Sequence, residues 1–158
     1  MLGFFKKEKF LTAPVCGEII EISKVRDEVF SQKILGDGFA VIPEDGNIYS
    51  PADGTVTDVT ETNHAYCITS DDGLEILVHI GIDTVKLNGK GFDVLVETGQ
   101  IVSAGQPVMQ LDLPYLKKHA PSLISPVIIT ELPDGYKLRP VKTGKVKNGE
   151  ELLVVEKE

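Results

Sequence analysis

Cysteine is scarce in this sequence: Cys16 and Cys67 are the only two in 158 residues, and they stand far apart. That excludes a disulfide framework and a Cys-x-x-Cys metal or redox motif, so a reducing cytoplasm is the expected compartment. Long apolar runs are missing too. None approaches the length that crosses a bilayer, and the start, Met1-Leu2-Gly3-Phe4-Phe5-Lys6-Lys7, lacks the apolar core and cleavage site of a secretion signal. Residues 1–10 are expected to form a short tail with no assigned function, at most in peripheral contact with a membrane, and Met1 leads us to expect a free-standing subunit. Positive charge is in deficit, with 16 basic against 24 acidic residues and a net charge of -8. Phosphate backbones demand basic patches, so a nucleic-acid ligand is excluded and basic protein partners are favoured. No nucleotide-binding glycine loop occurs.

What is present is apolar material in short pieces. The chain is 42% hydrophobic, enough for the core of one domain, expected over residues 11–158. Its 15 glycines and 9 prolines fall between Val/Ile/Leu-rich runs. Turn signals recur at Gly36-Asp37-Gly38, Glu44-Asp45-Gly46, Ala52-Asp53-Gly54, Asp71-Asp72-Gly73, Asn88-Gly89 and Asn148-Gly149. The pattern predicts an all-β, antiparallel sandwich or barrel with little helix. It also carries an internal duplication. Ala13-Pro14-Val15-Cys16-Gly17-Glu18 is similar to Ser50-Pro51-Ala52-Asp53-Gly54-Thr55 at an offset of 37, with a shorter echo at Ser125-Pro126-Val127. The segment from Thr98 to Gly105 is similar in turn to that from Thr143 to Gly149. One helix is expected after Leu113, with Pro114 in its first turn and Pro121 as its breaker.

Only three histidines occur, and two of them flank one predicted hairpin. Ser70-Asp71-Asp72-Gly73 suits a type I turn. With Ser70 and Gly73 as its closing pair, His64 lies opposite His79, and a shift of two still leaves both on one face. Only an odd shift separates them. Alternation assigns Ala65, Cys67, Ile76, Val78 and Ile80 to the core face, and His64, Tyr66, Glu75, Leu77 and His79 to the other. Two neutral imidazoles side by side suit phosphoryl transfer: one ring nitrogen attacks phosphorus, and the neighbour donates a hydrogen bond to the phosphoryl oxygens. With no nucleotide site in the chain, the donor is expected to be another phosphoprotein. His119 has no such partner and reads as a solvated surface side chain.

Gly36-Asp37-Gly38-Phe39-Ala40, the Pro51-Ala52-Asp53-Gly54 turn, Glu61-Thr62-Asn63-His64-Ala65 and Val78-His79-Ile80-Gly81-Ile82-Asp83-Thr84-Val85 together resemble the glucose-family enzyme IIA of the phosphoenolpyruvate-dependent sugar phosphotransferase system. The likeness runs from about Leu11 to the C-terminus. It implies a cytoplasmic, monomeric phosphocarrier of the transferase class, with His79 phosphorylated at Nε2 by the phosphocarrier protein HPr. The group would pass to a cysteine in the IIB domain of a glucose-type sugar permease. By the same resemblance His64 stabilises the phosphoryl group and Thr62 orients His64. Val29, Phe30, Ile34 and Val85 match an apolar docking face, and Asp27 and Asp83 match carboxylates that meet an arginine of HPr. Thr60 and Leu77 depart from the family by standing where phenylalanines are frequent. Other transporters and glycerol kinase are further partners that the resemblance implies, in a regulatory role read out by phosphorylation state. No cofactor is required. The one metal the resemblance admits is zinc at a partner interface, held by His64, His79 and a partner carboxylate, since this chain alone does not supply four ligands.

Two other readings fail on missing residues. LytM-type zinc peptidases need a His-x-His motif and an upstream His-x-x-x-Asp, but His79 is flanked by Val78 and Gly81 stands two positions after it. Biotinyl and lipoyl carriers need a Met-Lys-Met or Asp-Lys-Ala turn, which is absent. A non-catalytic regulatory module of the same fold stays open at this point.

Overall fold

The computed structural model describes residues 9–158. In chain order the strands are β1 (Lys9–Thr12), β2 (Gly17–Glu21), β3 (Asp37–Pro43), β4 (Asn47–Tyr49), β5 (Gly54–Val59), β6 (Ala65–Ser70) and β7 (Glu75–His79). There follow β8 (Phe92–Val94), β9 (Ile101–Val102), β10 (Pro107–Leu111), β11 (Ser125–Glu131), β12 (Tyr136–Pro140), β13 (Gly144–Val146) and β14 (Glu151–Lys157). Helix is confined to α1 (Glu28–Ser31), α2 (Leu113–His119) and two 3-10 turns, Ile22–Lys24 and Thr84–Leu87. No helix among the described residues is long and apolar enough to cross a membrane. Of the predicted tail, residues 1–8 lie outside the described residues, whereas Lys9 and Phe10 belong to β1 and pair with Val155 and Val154.

All strand pairs are antiparallel. One sheet has eight strands in the order β13-β2-β3-β11-β7-β6-β5-β9, and two sheets have three, β1-β14-β12 and β4-β10-β8. The chain is a β-sandwich, as its turn spacing predicts. Its main core takes the inward residues of the large sheet, among them Val41, Ile68, Ile76, Val78 and Val127, against Ile48, Met109, Leu152 and Val155 of the smaller sheets. The outer face of the large sheet is not bare. Alternation along β3 and β11 sends Phe39, Val41, Val127 and Ile129 inward but Ala40 and Ile128 outward, where they meet Ile22, Val25, Phe30 and Ile82 in a second cluster. Helix α1 and the Ile22–Lys24 turn are thereby packed onto the sheet at its centre.

The helix expected after Leu113 forms as α2, with Asp112 Oδ1 capping Tyr115 N at 3.1 Å and proline in its first turn. Helix α1 has no comparable sequence signal. It is a single turn, capped by Asp27 Oδ1 on Val29 N at 3.0 Å and held by burial of Phe30.

The internal duplication is visible as matched hydrogen bonds. Thr12 N donates to Pro51 O at 3.0 Å, and its counterpart Tyr49 N donates to Pro14 O at 2.7 Å. Ala13 exchanges bonds with Glu150 and Gly149, and Ser50, 37 residues on, exchanges the same two with Gln106 and Gly105. The two copies end on opposite edges of the large sheet, where β13 pairs β2 and β9 pairs β5. Each copy contains one glycine at which the neighbouring strand comes too close for a side chain. A Cβ on Gly17 would lie 2.1 Å from Ile42 O, and one on Gly54 2.2 Å from Thr69 O. Gly17→Ala and Gly54→Ala are each expected to lower stability by roughly 1–3 kcal/mol, because the clash is with backbone that cannot rotate away. Urea unfolding followed by circular dichroism checks this, and an unchanged midpoint in either variant contradicts the close approach.

Candidate functional site

Strand β7 carries Ile76 and Val78 into the main core and turns Leu77 and His79 to the outer face, beside the second cluster. The predicted type I turn is present, with Gly73 N donating to Ser70 O at 2.9 Å. The strands nevertheless close one residue later than predicted, on Ser70 and Leu74, with Gly73 left-handed at φ 88°. That is the three-residue hairpin loop with a glycine bulge. The register therefore shifts by one: Ala65 lies opposite His79, Tyr66 opposite Val78 and Cys67 opposite Leu77. A one-residue slip exchanges the faces of a whole strand. Tyr66, predicted on the outer face, is a core residue, and Ala65 and Cys67 share the outer side with His79.

By alternation alone this odd shift would part the two histidines, yet their rings stand 4.9 Å apart between centroids in an edge-on arrangement of 77°. The loop ahead of β6 accounts for it. His64 lies outside the strand, directly after the left-handed Asn63 (φ 60°), so strand alternation no longer sets the direction of its side chain. Thr62 stands in the same loop rather than on a strand. Its hydroxyl is 2.7 Å from His64 Nδ1, with the hydroxyl of Thr60 at 3.4 Å from the same atom.

His79 is held more firmly. Its Nδ1 lies 2.7 Å from the carbonyl oxygen of Gly81. A carbonyl only accepts, so Nδ1 carries the proton and the lone pair of a neutral ring is on Nε2. Gly81 is itself pinned. Its N–H donates to Ser125 Oγ at 3.0 Å, the buried Thr84 hydroxyl donates to Ile80 O at 2.6 Å, and its φ is 73°. A Cβ there would come within 2.6 Å of Ser122 O and 2.7 Å of Thr84 Cγ2. Ser125, Thr84 and the glycine carbonyl were not identified from sequence. Gly81 and Thr84 stand in the string from Val78 to Val85 and Ser125 in the echo of the Ser-Pro repeat, but neither pattern names a contact.

Burial is the main influence on both rings. It pushes His79 below the usual histidine pKa, against the Gly81 hydrogen bond and the carboxylates of Asp27 and Asp83, which act the other way. His64, only 7% exposed, is lowered by burial and by His79, partly offset by a backbone hydrogen bond at Thr62. Both rings are therefore neutral at pH 7 and above.

The expected docking residues divide into two groups. Val29, Ile34 and Val85 are exposed at 40%, 65% and 49%. Phe30 is not exposed: it is 5% accessible, and its ring tilts 58° against His79 with centroids 5.2 Å apart. It forms a wall of the histidine site. Leu77 packs on the same cluster, so a side chain in place of the expected phenylalanine is absorbed there. Asp27 caps α1 and Asp83 precedes the Thr84–Leu87 turn in a left-handed conformation. His119 lies on α2, its ring 4.3 Å from that of Tyr115. Among the described residues no group of three or more His, Cys, Asp or Glu side chains is placed to hold a metal ion. The two imidazoles alone do not complete a structural zinc site.

A family model for the phosphoenolpyruvate-dependent sugar phosphotransferase system, EIIA 1, matches residues 9–135. The glucose-specific EIICBA component of Staphylococcus carnosus (strain TM300) is 46% identical over 143 residues, covering 90% of this chain and 21% of that protein. The component of the same description from Staphylococcus saprophyticus is 55% identical over 122 residues, 77% of this chain and 18% of that one. The chain thus spans about a fifth of the length of these relatives. Among solved structures, the glucose permease IIA of Mycoplasma capricolum superposes with a TM-score of 0.89 at 41% identity, over 96% of this chain and 97% of that one.

The lowered histidine pKa values carry a sign for stability. As pH falls below the usual value of about 6.5, unfolded imidazoles protonate before the folded ones, so the unfolded state binds more protons and stability declines. Stability is expected to be full above that pH and to fall as pH drops through it towards the folded pKa values. Urea midpoints at pH 7.5 and 5.5 measure the decline. It should be smaller in His79→Gln, and an equal decline in the variant contradicts the assignment.

Proposed function

The chain belongs to the EIIA 1 family of the phosphoenolpyruvate-dependent sugar phosphotransferase system, and from that we propose that it is a cytoplasmic phosphocarrier with His79 as its acceptor. The donor is phospho-HPr and the receiver is a cysteine in the IIB domain of a glucose-type permease. In the first step the lone pair of His79 Nε2 attacks phosphorus. A P–N bond forms on this chain as the bond to the donor's nitrogen breaks, and the donor's ring keeps the electron pair. In the second step the cysteine thiolate attacks the same phosphorus and His79 leaves as a neutral imidazole. The observation that carries this reading is the 2.7 Å bond from Nδ1 to Gly81 O, which commits the proton to one nitrogen and leaves the other free to attack.

His64 supplies the second requirement. At a ring separation of 4.9 Å it is near enough to share a phosphoryl group on His79, and Thr62 at 2.7 Å from Nδ1 holds the ring so that Nε2 is the atom left to meet the oxygens. Phe30 excludes water from one side of His79. The exposed apolar side chains Val29, Ile34 and Val85 offer docking surface, and Asp27 and Asp83 place negative charge beside His79 for a basic partner. The zinc site implied by the resemblance would take a partner's carboxylate in addition to His64 and His79. No step of the transfer depends on it.

Incubation with phosphoenolpyruvate, enzyme I and HPr is expected to place one acid-labile, alkali-stable phosphoryl group on His79. His79→Gln should abolish acceptance. His64→Gln should still accept, slower by on the order of 10²–10³, the usual loss for one charge-stabilising donor. Mapping of phosphate to Ser, Thr or Cys, or acceptance by His79→Gln, overturns the assignment.

A further inference from the structure

The loop that carries His64 is closed in an unusual way. Strand β5 ends at Val59, which pairs with Tyr66, and Thr60 and Ala65 are the next pair inward. Thr60 N donates to Ala65 O at 3.0 Å, as in a regular hairpin. The return bond, from Ala65 N to Thr60 O, is missing. That carbonyl is occupied by Asn63 N at 2.9 Å, in the turn that brings Asn63 into its left-handed conformation. Ala65 N instead donates to the Thr60 hydroxyl oxygen at 3.2 Å. The same oxygen stands 3.4 Å from His64 Nδ1 and 3.2 Å from Ala65 O.

We propose that Thr60 is a positioning residue for phosphoryl transfer, its hydroxyl acting as the clasp that closes the 61–64 loop and as a second hydroxyl beside Thr62 at His64 Nδ1. The physical case rests on substitution of one acceptor for another. Ala65 is almost wholly buried, and a buried N–H without a partner is costly, so in this chain the hydroxyl of Thr60 supplies the acceptor that its own carbonyl, taken by Asn63, does not. A hydroxyl on a β-branched side chain meets the need with little rotamer freedom to lose. Closure at Thr60 and Ala65 leaves His64 outside β6, free of the alternation that would turn it away from His79. The inference rests on the phosphocarrier reading above only for its transfer measurement.

The test compares Thr60→Val, which keeps the shape and removes the hydroxyl, with Thr60→Ser, which keeps the hydroxyl. Phosphate acceptance from phospho-HPr should fall about tenfold in Thr60→Val, equivalent to ~1.4 kcal/mol, and recover in Thr60→Ser. The ring ¹⁵N signals of His64 and their pH titration should move in Thr60→Val and return in Thr60→Ser. In a His64→Gln background Thr60→Val should cost little more, since its effect passes through that ring. Unchanged His64 signals in folded Thr60→Val overturn the proposal. So does a full additional loss in the His64→Gln background. If the wild-type protein accepts no phosphate from phospho-HPr, the phosphocarrier reading falls, while the ring signals still decide the role of Thr60.

Discussion

The hydrogen bond from His79 Nδ1 to the carbonyl of Gly81 organises the rest of the site. It chooses the tautomer, and with it the nitrogen that keeps a lone pair, and it stops the ring from turning. The carbonyl is dependable because the backbone at Gly81 has nowhere to go: a left-handed φ, a bond to Ser125 and the side chain of Thr84 confine it on three sides. Ser125 begins β11, and Thr84 begins the short turn that carries Val85. His79, strand β11 and the turn that bears the exposed Val85 are thus tied together through one peptide group.

Around that bond the outer face of the sheet does two things at once. The cluster of Ile22, Val25, Phe30, Ala40, Ile82 and Ile128 is a second core, small and set against the centre of the large sheet. Its burial holds a one-turn helix that would be unstable alone, since a single turn pays most of the nucleation cost for very few hydrogen bonds. Holding α1 there puts Phe30 against His79 and leaves its neighbour Val29 exposed. The dryness of the site and the apolar surface beside it therefore have a common origin. Burial lowers the proton affinity of both histidines, while Asp27 and Asp83 partly restore that of His79. The ring of His79 is thus left neutral yet close to negative charge.

The duplication supplies the frame on which this asymmetry is built. Strands β11 and β7 each lie fourth from an edge of the large sheet, and the matched bonds of Ala13 and Ser50 show how closely the two halves correspond. The histidine pair stands on one side only. The outer face of β11 carries Ile128 into the second cluster, whereas the corresponding face of β7 ends in His79. Ile128 and Leu77 pair across β11 and β7 and both pack on that cluster, and His79 stands two residues beyond Leu77 on the same face.

Much of this was legible in the residues. Short apolar runs between glycine and proline turns specify an antiparallel sandwich, because each run is long enough for a strand and too short for a helix, and the Ala-Pro and Ser-Pro repeats announce two related halves. The helix after Leu113, opened by Pro114 and stopped before Pro121, is local chemistry and was readable as such, although its cap at Asp112 was not. The pairing of two scarce histidines with one hairpin pointed to the site, although the face assignment built on it was wrong for β6. A glycine bulge at Gly73 moved the register by one, and turn type alone does not distinguish a loop of two residues from one of three. The histidines meet because Thr60, Asn63 and Ala65 shape a loop that lifts His64 out of the strand pattern. Phe30 is buried because a distant cluster covers it, and His79 keeps one tautomer because Ser125, far along the chain, holds Gly81. Periodicity and turn propensity act between near neighbours and so are written in the sequence, whereas register, ring orientation and protonation depend on which distant groups arrive alongside, and only the folded chain decides those.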